Sequence, residues 1–188
     1  MSLIDRVRSR FARPPELVRA VVAVDPDERV LAWGPLAGDQ GWLVATSRGL
    51  REIGSHEQGT GIPFLPWHEV GHARWTATSD GGGTFVVTPL AEVEPGVQAR
   101  QPVVRHVLTH AGDLPAVVRR RVDETVVVSQ RAPLPDGGGV LLVARRVPGQ
   151  TAREWTVVFD DDANRSDPVA RETARQKLAE VVAADQPG

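Results

Sequence analysis

Five consecutive residues, His68-Glu69-Val70-Gly71-His72, spell H-E-x-x-H. On a helix, histidines at i and i+4 share a face and bite one Zn²⁺, while the glutamate holds a water as general base. A third ligand is needed, and Glu92 falls near where a zinc peptidase with a glutamate ligand would place it. Four features oppose the helix. Pro66 stands just before the string, Gly71 lies inside it, and Trp75 and Thr78 replace the Gly and His of the longer metzincin pattern. Asp80-Gly81-Gly82-Gly83 then interrupts the second helix. In a strand His68 and His72 still share a face, but about 13 Å apart at ~3.3 Å per residue, too far for one ion. The preferred reading is a partly exposed strand with two polar histidines, and no metal or cofactor is expected. The alternative is a small zinc metallopeptidase using His68, His72 and Glu92, with Glu69 as base.

The other candidate chemistries are thinner. His106 and His110 repeat the i, i+4 spacing without a carboxylate and read as solvated side chains. Asp160-x-Asp162-x-Asn164-x-Ser166 looks like a calcium loop. Arg165 stands where such a loop needs glycine, however, and Arg171 where it needs a bidentate glutamate. Capping of the following helix explains those acids better. The glycine triplets lack a following Lys-Ser/Thr and read as hairpin turns, not phosphate cradles. Arg119–Arg121 and Arg145–Arg146 suggest an anion patch, to which alternate strand residues contribute at most half.

Composition narrows the classes. Forty-one per cent hydrophobic and 24% charged residues over 188 positions suffice for a real core. A net charge of −2 argues against a dedicated nucleic-acid binder. No cysteine is present, which removes disulfides, thiolate metal sites and cysteine nucleophiles. No stretch approaches the apolar length of a membrane span, and the N-terminus lacks a signal-like apolar run. A cytoplasmic location is expected. Lys177 is the only lysine, a bias typical of a GC-rich genome, so the arginine count says little about anions.

These residues need elements to position them. Ser2 to Phe11 reads as a short amphipathic helix with Leu3, Ile4, Val7 and Phe11 on one face, ended by Pro14-Pro15. That stripe is the candidate partner-binding surface. It is expected to dock on protein, the chain's own domain or a second copy, with an anionic membrane surface as the less favoured host. Residues 16–24 are helical or extended. Arg29–Trp33 is a strand that Gly34-Pro35 breaks, and Trp42–Thr46 and Leu50–Ile53 flank a tight turn. Pro66–Thr78 and Thr84–Leu90 flank the Asp80 hairpin, while 97–112 stays open between states. Asp113-Leu114-Pro115 starts a helix, and Thr125–Ser129, Val140–Arg146 and Glu154–Phe159 form a meander. A last helix runs from Asp167-Pro168 to about Ala184, carrying Val169, Thr173, Leu178, Val181 and Val182.

The strings Arg29-Val30-Leu31-Ala32-Trp33, Leu43-Val44-Ala45-Thr46-Ser47-Arg48-Gly49-Leu50 and Pro66-Trp67-His68-Glu69-Val70 resemble bacterial pleckstrin-homology-like (PH-like) domains. They follow that family's pattern of opening strand, Thr-x-Arg hairpin and aromatic-x-x-Val strand. The chain is also similar to actinobacterial proteins of about this length. The resemblance covers most of Arg29 to Leu90, and the remainder by strand count. It implies an α+β, mainly antiparallel, two-sheet barrel of about 4+3 strands with a C-terminal helix. Residues 1–24 would form the N-terminal helix and linker, and 25–184 one PH-like domain with a helical insert at about 100–123. It further implies a non-enzymatic binding or scaffold protein. Its partner would be another protein or a second copy; the charge balance argues against nucleic acid and the apolar run lengths against a bilayer span.

Overall fold

Pro15 sets the start of the first described helix. Pro15 is extended (φ −49°, ψ 149°), and its carbonyl accepts the Arg19 N–H at 3.0 Å, launching helix α1 (Glu16–Val22). The computed structural model of the chain describes residues 13–54, 63–148 and 150–185. It is α+β with mostly antiparallel sheets and a C-terminal helix. Eleven strands occur among the described residues, more than the seven or so expected. They fall into two compact units. One holds the residues up to Pro89 together with Pro102–Asp123, the other Leu90–Gln101 together with Glu124 onward.

In the first unit β1 (Val30–Pro35), β2 (Gly41–Thr46), β3 (Gly49–Gly54) and β4 (Leu65–Pro66) form an antiparallel sheet in chain order. Gly34-Pro35 does not break β1, contrary to expectation. Pro35 needs no N–H there, and its carbonyl accepts from Thr109 at 3.1 Å. Gly34 is the point where β8 (Val104–Leu108) crosses: a Cβ on Gly34 would sit 2.7 Å from Leu108 and 2.8 Å from the His110 carbonyl. An isolated bridge between Leu36 and Leu108 marks the same crossing. Along β2 the alternate side chains serve two cores. Leu43 and Ala45 join Trp67, Phe85, Leu108 and others, while Val44 meets Val18 and Val22 of α1.

β5 (Val70–Ala77) and the first part of β6 (Gly83–Glu94) pair antiparallel, and β8 pairs β6 over Gly83–Val87. The unit thus contains three more strands beside the first four. Helix α2 (Leu114–Thr125) begins at the expected place and seats Leu114 and Val118 in the main core. The stretch expected as a helical insert is therefore β8 followed by most of α2. Strand β6 runs on through Pro89, which lies opposite Val70 beside a register shift, where a missing N–H costs little.

In the second unit, residues Leu90–Glu94 of β6 pair with β7 (Val97–Arg100), and β7 pairs in parallel with β11 (Arg153–Phe159). β10 (Gly139–Arg146) joins β11 to β9 (Val126–Pro133) as the expected meander. Helix α3 (Pro168–Asp185) is capped by Asp167, whose carboxylate accepts the Val169 and Ala170 N–H groups at 3.3 and 2.9 Å. Its inner face is the buried Ala170 and Ala174 with the half-buried Leu178 and Val181, packed in one cluster with Val140, Leu142, Val157 and Phe159. Val169, one of the apolar residues the helix carries, is exposed.

Candidate functional site

The H-E-x-x-H string does not form the helix that its zinc chemistry requires. Pro66 is extended (φ −57°, ψ 147°), Trp67–Glu69 is a single 3-10 turn, and Val70 already opens β5. Trp67 and Val70 are buried, and the Trp67 indole N–H donates to the Thr46 carbonyl at 3.0 Å. His68 keeps its Nδ1 buried without a hydrogen-bond partner among the described residues, and its Nε2 lies 3.8 Å from Glu69. His72 is exposed on β5 opposite Thr88. Glu92 accepts the Gly96 N–H at 2.8 Å and so closes its own hairpin. Among the described residues no three His, Asp or Glu side chains gather as a metal ion would need. Around the string, the buried residues are Val70 within it and Trp67 just before it. Leu3, Ile4, Val7 and Phe11 lie outside the described residues.

The Thr-x-Arg hairpin is also architectural. Thr46 Oγ1 accepts the N–H groups of Arg48 and Gly49 at 3.2 and 3.1 Å and donates to Glu28 at 2.5 Å. Arg51 grips the same carboxylate with Nε at 2.9 Å and Nη2 at 2.7 Å. Arg48 pairs with Asp25 at 2.6 Å. Glu28 stands just before β1, and its side chain is covered. Its burial follows from the β1–β2–β3 register, which no local pattern announces.

His106 corrects an expectation. It is 4% exposed, not solvated, with Nδ1 3.3 Å from Glu52 and Nε2 buried without a partner among the described residues. Burial pushes its basicity down and pushes the Glu52 carboxyl up. The parity of β8 held the clue, since His106 and Leu108 turn inward while Arg105 and Val107 turn out. Of the arginines weighed as an anion patch, Arg145 is buried and donates to Thr125 at 3.1 Å, whereas Arg146 is exposed.

β9 is an edge strand whose first residues are exposed and apolar. β9 pairs with β10 alone among the described residues. Its Val126, Val127 and Val128 are 37%, 37% and 39% exposed, three large apolar residues in a row. A register shift between Ala144 and Arg145 leaves Val127 without an opposite residue, a bulge that twists the start of the strand. Farther along, Arg131 is fixed by Asp160 (Nε–Oδ2 3.1 Å, Nη2–Oδ1 2.8 Å).

No family model, no curated protein and no solved structure matches the chain. Geometry alone carries the functional reading. An edge of this kind offers unpaired N–H and C=O groups in register with valine side chains, the arrangement that accepts an added strand. No described helix is long and apolar enough to cross a membrane.

Proposed function

We propose that the chain is a cytoplasmic, non-enzymatic protein-binding module whose first unit is a PH-like barrel and whose docking element is the open edge of β9. The observation that carries it is the row Val126–Val128 on an edge strand. Four strands in order, three more beside them, the close crossing at Gly34 and the seating of α2 support the barrel reading. The partner supplies an extended apolar segment that adds to β9 through main-chain hydrogen bonds. Covering the exposed third of three valines contributes roughly 2 kcal/mol at ~1.5–3 kcal/mol per fully buried side chain, so backbone bonds must supply the rest. The bulge at Val127 keeps the edge from pairing indiscriminately.

A photo-crosslinking residue at position 127 tests this, with position 169 on the exposed side of α3 as control. The expected result is a discrete adduct from 127 alone, lost when Val126→Lys and Val128→Lys are added to a protein that melts normally. Adducts of equal yield from both positions, or an adduct indifferent to the lysines, would refute the assignment.

A further inference from the structure

The second unit contains a cleft of about 280 Å³ between β7, the end of β11 and the loop leading to α3. That is the volume of about nine waters at roughly 30 Å³ each, enough for a small organic molecule. Its apolar wall is Val93, Val97 and Phe159, and three arginines, Arg100, Arg165 and Arg171, stand around it. Two of those arginines are already satisfied. Arg100 is held by Asp161 at 2.6 Å, and Arg171 by Glu94, which also takes Arg175 at 2.6 Å. The remaining acid of the lining, Asp160, is held by Arg131. Among the described residues Arg165 is therefore the one charged group of the cleft with no opposite charge on it.

We propose that this cleft binds a small carboxylate with an apolar body, the body against Val93, Val97 and Phe159 and the carboxylate on Arg165. A cation would find every carboxylate of the lining already engaged. A neutral apolar molecule would leave Arg165 beside it without gain. A single guanidinium matches a carboxylate through two parallel N–H···O bonds, and its one positive charge balances the one negative charge of a carboxylate. Arg100 and Arg171 each already carry a carboxylate, so the uncompensated positive charge among the described lining residues is that of Arg165.

Titration calorimetry on the full chain with benzoate, 2-naphthoate, indole-3-acetate and octanoate tests the proposal. Neutral 2-naphthalenemethanol and acetate serve as body-only and head-only controls. At least one of the four carboxylates binds saturably at one site per chain, more tightly than either control. Arg165→Gln weakens it about tenfold or more, the loss of a charge-assisted bond, and leaves the neutral control unchanged. Val93→Asp, on a side chain already 57% exposed and so safe for folding, weakens the carboxylates and the neutral control together. No saturable carboxylate below millimolar concentration, equal binding of alcohol and carboxylate, or unchanged binding by Arg165→Gln each overturns the proposal.

Discussion

Arg51→Met isolates the most exposed dependency of the first unit. It leaves the Glu28 carboxylate, whose side chain is fully covered, with Thr46 as its remaining partner among the described residues. It also removes the guanidinium stacked 4.2 Å from the Phe64 ring centre, while methionine keeps most of the apolar stem. Stripping one partner from a buried ion pair costs about 3–5 kcal/mol, because the other charge remains unpaired. Arg51 is 23% exposed, so water reaches part of the site and the lower end, about 3 kcal/mol, is expected. With a urea slope of about 1–3 kcal/mol per molar, the midpoint falls by roughly 1–3 M. Tryptophan fluorescence is the natural assay. Trp33, Trp42, Trp67 and Trp75 all lie in this unit, and Trp67 donates to Thr46, itself bonded to Glu28. Adding Glu28→Gln to Arg51→Met removes the orphaned charge and returns most of the loss. A single variant that loses under about 1 kcal/mol, or a double variant less stable than the single, would refute the buried-charge argument.

Two other perturbations follow from geometry. His106 resists protonation when folded, so below its ordinary value of 6.5 the unfolded chain takes up a proton that the folded chain refuses. Stability should fall as pH drops from about 7 through that window, and His106→Gln should flatten this slope in urea titrations at successive pH. Glu52 acts with the opposite sign in its own window. Its carboxyl is raised above 4.5, so its penalty is absent below that pH and grows as pH rises through the raised value. Asp167→Ala removes the cap of α3 and should cost about 1 kcal/mol, read as weaker amide-exchange protection over residues 168–174. Asp167→Asn should largely restore it.

What the sequence discloses is local chemistry. Helix α3 was legible because Asp167-Pro168 is both cap and first turn, and the Asp80 hairpin because glycines there permit turns. The meander of β9, β10 and β11 was legible from turns and alternation. Non-local pairing was not. Nothing in Val97–Arg100 announces a parallel partner at Val157, because strand periodicity is blind to which strand lies alongside. The alternative zinc reading of His68 and His72 rested on spacing, which is visible where backbone conformation is not; Pro66 was one of the residues that argued against it. Glu28, Arg51 and Glu52 went unnoticed because charged residues are read as solvated until a register covers them. The exposed valines of β9 passed as an ordinary strand, since edge or centre is a property of the sheet.

The interleaving of the two units governs how the chain must be made. The second unit takes Leu90–Gln101 from the middle of the chain, but its parallel partner β11 is synthesised much later, Thr156 meeting Gln98 across 58 residues. On the ribosome the first unit has its last residues by Asp123, while the β6–β7 hairpin still lacks β11. For that interval Val97 and Gln98, buried at the end, remain open to solvent or to a chaperone. The same order sets the rule for dissection. A protein stopped at Asp123 keeps the hairpin but exposes its apolar side, and no contiguous piece contains the second unit without the chain between 102 and 123.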